Sequence, residues 1–233
     1  MIQMLTDKLR AMFNRESLPV ETGASRLKIP GSLARRPQKA AAPEARSSRG
    51  LEQFFFNLRD SVGLSLLDLA VPNQDNINFL TNLGHKLYTA DLIGCLDDAF
   101  GANPADQTNP GRIEYFLRSS LDYPADSFDG VLLWDGLQFM GPALLAATVE
   151  RLQHIMRPDA YLLAFVTANE RVTEVPAHTF RIVDHKNILI IERGMRASGQ
   201  VFSNRNIEKL FGNFQSVKFF LTRESLREVI VRR

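Results

Sequence analysis

A chain of 233 residues is long enough for one domain with an appendage or for two small domains. Its charge is unevenly spread: residues 1–50 carry ten Lys or Arg against four Asp or Glu, whereas residues 51–233 carry eighteen against twenty-two, so the net +2 comes from the N-terminal segment. A single cysteine, Cys95, excludes an internal disulfide framework and suits a reducing cytoplasm, and no apolar run approaches the roughly 20 residues of a membrane span.

Met1, Met4, Leu5, Leu9, Met12 and Phe13 recur at helical spacing, which predicts an amphipathic helix over residues 2–15 within an N-terminal unit of residues 1–17. Asp7, Lys8 and Arg10 interrupt any signal-peptide core there. Residues 18–50 are rich in Pro, Ala, Ser and Arg without a sustained period, and read as a flexible basic linker. That basic segment suits a partner protein or an acidic surface. It lacks interleaved aromatics for base stacking, which argues against nucleic acid.

The folded domain is expected over residues 51–233. Phe54, Phe55, Leu58 and Val62 lie at helical intervals ahead of Gly63. Of the consecutive Phe54, Phe55 and Phe56, not all can face the core. Leu64 to Leu92 then forms the organising stretch: an apolar run ending at Asp68, a polar loop, about two helical turns closed by Gly84, and a short strand ending at Asp91. This is a β-loop-α-β unit with an acid at the tip of each strand. In open α/β sheets ligands sit outside the carboxyl ends of the strands, which is where both acids fall.

Leu92 to Phe100 reads as a further helix, and Ile113, Phe116 and Leu117 favour helix over strand in residues 112–121. Ser127, Phe128 and Asp129 lead into an apolar strand, Gly130 to Trp134, with Asp135 at its tip. Pro142 opens a helix with a wide apolar stripe, and Tyr161 to Val166 reads as a strand covered on both faces. Phe180 to Val183 and Ile188 to Glu192 suggest a hairpin, whose Arg181, His185 and Arg193 are either substrate contacts or solvated turn charges. A helix capped by Ser203 or Asn204 follows. Val217 to Leu221 and Glu228 to Val231 are too closely joined for a parallel crossover, so they pair antiparallel.

The Asp68, Gly84 and Asp91 frame resembles the cofactor half of class I S-adenosylmethionine-dependent methyltransferases, with Gly84 sixteen and Asp91 twenty-three residues after the first acid. The Ser127 to Asp135 segment and the antiparallel final strand resemble the same family. The resemblance implies an α/β, doubly wound, mostly parallel seven-strand-type sheet with an antiparallel C-terminal strand, in a cytoplasmic transferase. It places S-adenosylmethionine against Asp68, Ala70, Asn73, Asn76, Asp91, Leu92 and Trp134, with Asp91 on the ribose hydroxyls and Asp135 as candidate general base toward an unknown methyl acceptor. The family's three loop glycines are replaced by Ala70, Pro72 and Gln74. Pro72 fixes φ and removes a donor, while Asn73 and Asn76 tolerate left-handed backbone, and Asn76 is a candidate helix cap.

Two functions follow. One is a methyltransferase with an atypical cofactor loop. The other is a non-catalytic protein that keeps the fold as an interaction or regulatory platform and has lost the cofactor. His85, His154, His178 and His185 show no ligand-like spacing with one another or with Cys95, so no metal is expected. No nucleophile elbow, phosphate loop or dinucleotide fingerprint occurs.

Overall fold

A computed structural model describes residues 45–101, 104–169, 173–222 and 226–233. The helix expected at residues 2–15 and most of the linker lie outside the described residues. The described elements start with a short strand β1 (Arg46–Ser47) and helix α1 (Arg49–Leu58), so Arg46 to Gly50, basic like the linker, belong to the fold. Ser48 starts α1, its Oγ accepting the Leu51 N–H at 3.0 Å. Leu51, Phe54, Phe55 and Leu58 bury one stripe of it, while Phe56 faces out with the Arg59 guanidinium 3.7 Å above its ring.

The central unit follows as β2 (Ser65–Asp68), α2 (Gln74–Asn82), β3 (Lys86–Thr89) and α3 (Leu92–Phe100). Gly84 makes the turn into β3 at φ +82°, a conformation that favours glycine. Helix α4 (Pro110–Ser120) is capped by the Asn109 side chain, so residues 112–121 are essentially helical, as their spacing suggests. Then come β4 (Phe128–Trp134), α5 (Pro142–Ile155), β5 (Met156–Thr167), β6 (Glu174–Ile182), β7 (Asn187–Ala197), α6 (Asn204–Leu210), β8 (Ser216–Leu221) and β9 (Leu226–Arg232).

The main sheet has six strands, in the order β3-β2-β4-β5-β9-β8. From β3 to β5 all pairings are parallel, and β9 runs antiparallel to both β5 and β8. Among the described residues the sheet has six strands rather than seven, and Pro110–Ser120 forms α4. Alternation along the strands separates two cores: Val131, Leu133, Leu162 and Ala164 face one, and Leu132, Trp134, Leu163 and Phe165 face the other. Both faces are covered, which is why β4 and β5 are almost continuously apolar.

β1, β7 and β6 form a separate antiparallel sheet. The β6–β7 hairpin is longer than its sequence signal, and Phe180, Ile182 and Ile188 from it enter the same core as Trp134. It therefore packs on the carboxyl end of the main sheet.

At the other end of α1, Glu228 of β9 is 2% exposed and its carboxylate accepts the Gly50 N–H. Burial pushes its carboxyl upward, opposed by the Gly50 and Ser48 hydrogen bonds and by the charges of Arg46 and Arg49. A Cβ at position 50 would lie 2.9 Å from both Glu228 Cβ and Leu163 Cδ1. Gly50→Ala should therefore destabilise the fold by about 1–3 kcal/mol in chemical denaturation, the usual range for overpacking.

Candidate functional site

The carboxyl edge of the sheet gathers Asp68 at the end of β2, Asp91 after β3 and Asp135 after β4. Asp68 is 2% exposed and points into protein rather than into a hollow. Its Oδ1 accepts the Trp134 indole N–H at 2.5 Å and the Ala70 N–H at 3.1 Å, and its Oδ2 accepts the Asn76 amide at 3.1 Å. Burial pushes the Asp68 carboxyl above the ordinary carboxylate range, and the donors from Trp134, Asn76 and Ala70 oppose that rise.

The loop after Asp68 stays in ordinary backbone conformations. Asn73 is extended, at φ −134°, and neither it nor Asn76 takes a positive φ. Asn73 is the helix cap, accepting the Asn76 N–H at 2.9 Å, so Asn76 is not the cap its sequence position suggests. Asn76 lies one turn in because its side chain binds elsewhere. Besides Asp68, its Nδ2 donates to the Phe180 carbonyl at 3.2 Å, and its Oδ1 accepts the Ile182 N–H at 2.8 Å. Asn73 Nδ2 also reaches the Phe180 carbonyl, at 3.3 Å. Two asparagines thus fasten the loop to β6.

The clasp brings the Phe180 ring onto Trp134. Their centroids are 4.9 Å apart and their planes 10° apart, and Phe165 stacks on the indole as well, at 5.9 Å and 24°. Trp134 is 1% exposed and holds φ +55°, an uncommon conformation for a bulky residue that its packing and Asp68 bond must maintain. Leu92, 0% exposed, is core.

Asp91 is half-buried, and its Oδ1 accepts the Gly94 N–H at 2.9 Å as the cap of α3. Asp135 is buried, and its Oδ2 accepts both the His178 N–H at 2.8 Å and the His178 Nδ1 proton at 3.0 Å. What remains between Ala70, Asp91, Trp134, Asp135 and Phe180 is a cavity of about 10 Å³. That is about the space one water requires, whereas sites for organic ligands run from about 300 Å³ upward.

The expected hairpin contacts also fall elsewhere. Arg181 lies 3.6 Å from Asp75 on the surface, and His185 packs its ring on Phe55 and Phe79 at 5.5 and 5.3 Å. Arg193 alone borders the residual crevice. Phe180 and His178 are the residues that spacing did not single out as site components: Phe180 was read only as the start of a strand, and His178, ahead of it, only as one of four histidines without metal-ligand spacing.

No protein-family profile matches the sequence, and no curated protein matches it. Among solved structures, an S-adenosylmethionine-dependent methyltransferase from Archaeoglobus fulgidus is similar over 78% of this chain and 93% of its own, at 11% identity and a TM-score of 0.46. The 1,6-didemethyltoxoflavin-N1-methyltransferase of Burkholderia thailandensis, solved with 1,6-didemethyltoxoflavin and S-adenosylhomocysteine bound, is similar over 79% of this chain and 76% of its own, at 12% identity and a TM-score of 0.43. A Mesorhizobium loti methyltransferase gives 11% identity, 78% and 96% coverage and a TM-score of 0.44. In this chain itself, an antiparallel strand sits between β5 and the edge strand of an otherwise parallel sheet. The chain has a doubly wound, Rossmann-like α/β fold, mostly parallel with an antiparallel C-terminal strand. Asp68, Asp91 and Asp135 lie at the carboxyl edge of the sheet, where ligands of open α/β sheets bind, and each is engaged by a group of the protein.

Proposed function

We propose that this protein is a non-catalytic member of the methyltransferase-like fold, whose cofactor crevice has become a structural joint and which acts as an interaction platform. The observation that supports this reading is the stack of Phe180 on Trp134, clasped by Asn73 and Asn76, where an adenosine would have to enter. Ala70, Pro72 and Gln74 agree with it, because a loop without glycines gives no close backbone approach to a ligand. In this reading the basic segment of residues 1–50 carries partner recognition, toward a protein or an acidic surface.

The test is thermal unfolding with and without S-adenosylmethionine or S-adenosylhomocysteine. A ligand present at a hundred times its dissociation constant stabilises its receptor by about 2.7 kcal/mol. The expected result is no shift at millimolar ligand. A saturable shift abolished by Asp91→Ala would replace this reading with a methyltransferase, in which Asp135 and His178 would stand beside the acceptor.

A further inference from the structure

Beside the closed crevice lies an open cavity of about 460 Å³, between the tip of β5 and the β6–β7 hairpin. We propose that it is a binding site for a compact organic cation, a protonated amine, with His178 as its buried anchor. This does not rest on the crevice being closed, because the two spaces have separate linings apart from His178.

A break in the hairpin register makes the site. His178 pairs with Glu192 while Ala177 pairs with Gly194, which leaves Arg193 as an extra residue on β7, with Gly194 at φ +138°. Bulges of this kind re-aim side chains. Directly paired residues project to the same face, so His178 and Glu192 both line the cavity.

The His178 side chain is only 9% exposed, and Asp135 holds it through both its backbone N–H and Nδ1. The carboxylate fixes the proton on Nδ1. The His178 Nε2 is left without a partner among the described residues, on a ring that lines the cavity.

The other polar groups decide the charge of the occupant. Gln138 is fully engaged, accepting the Thr167 N–H and donating to the Pro176 carbonyl, each at 3.2 Å. Arg46 and Asn169 have interactions of their own. Glu174 and Glu192 have no ion pair or hydrogen bond among the described residues. The His178 ring and the exposed Glu174 and Glu192 carboxylates thus border the same cavity as the apolar Val175, Ile190 and Leu226. That lining complements a cationic head on a short apolar body. A metal ion is disfavoured, since no three His, Cys, Asp or Glu among the described residues are grouped to hold one.

The experiment is a titration of the full chain, with labelled histidines, by n-butylammonium at fixed pH, followed by the ring signals of His178 as assigned with His178→Gln. The expected result is a saturable shift of that ring, at least tenfold weaker in affinity in the Glu174→Gln/Glu192→Gln double variant, and absent with butyrate. No saturable shift at millimolar amine, unchanged affinity in the double variant, or an equal response to butyrate would each overturn the site. Binding of S-adenosylmethionine, read separately from Trp134 emission, would overturn the platform reading and leave the amine result standing.

Discussion

Phe180→Ala should be among the most damaging single substitutions in the described fold, lowering stability by about 3–5 kcal/mol. The ring is 0% exposed and packs on Trp134, on Phe165 at 5.1 Å and on His178 at 5.7 Å between centroids. These neighbours are held by separate elements, so the gap has little freedom to collapse. The backbone carbonyl of residue 180 would still accept from Asn73 and Asn76, which isolates the contribution of the side chain. Because Trp134 is the only tryptophan in the sequence, its emission reports the same event: it should shift to the red in the folded variant as water reaches the indole. A loss below about 1 kcal/mol with unchanged emission would mean that the hairpin does not close the crevice in solution. The variant also tests whether the opened crevice takes S-adenosylmethionine. If S-adenosylmethionine stabilises Phe180→Ala but not the parent chain, the crevice keeps its specificity and only the plug excludes the cofactor.

Much of the fold was legible in local pattern. The β2-α2-β3 unit showed itself through an apolar run, a helix stop at Gly84 and acids at both strand ends, and the short link between the last two strands dictated their antiparallel pairing. The spacing of Ile113, Phe116 and Leu117 revealed α4 where a strand was the alternative. Asn76 was misplaced because Asn73 and Asn76 are equally good caps by type. What separated them was the Phe180 and Ile182 backbone, reached across 104 and 106 residues. The partner of Asp135 was hidden in the same way, since His178 lies 43 residues further on and acquires its role only when a bulge turns it inward. Strand tips follow from periodicity. Whether the space before them is open depends on a hairpin whose sequence carries only alternation, and Phe180 reads as an ordinary core residue until the clasp aligns it with Trp134.

Asp68→Ala should destabilise the fold by about 2–4 kcal/mol in mild acid, because it leaves the Trp134 indole and the Asn76 amide without their buried acceptor. The pH dependence distinguishes this buried role from that of an exposed ligand-binding acid. Burial, the leading cause, raises the folded-state pKa of Asp68 above the unfolded value of 3.8, so the native state holds the proton more tightly than the unfolded chain. Its contribution is therefore fully present below about pH 3.8 and is lost as pH rises through the folded pKa. The stability gap between the parent and Asp68→Ala should be widest in acid and narrow toward neutral pH, measured by urea denaturation across that range. Glu228 contributes a slope of the same sign, since burial raises it too, but it is common to both proteins and cancels in the difference. A gap that widens with rising pH would mean that the Trp134, Asn76 and Ala70 donors outweigh burial and hold Asp68 as an anion.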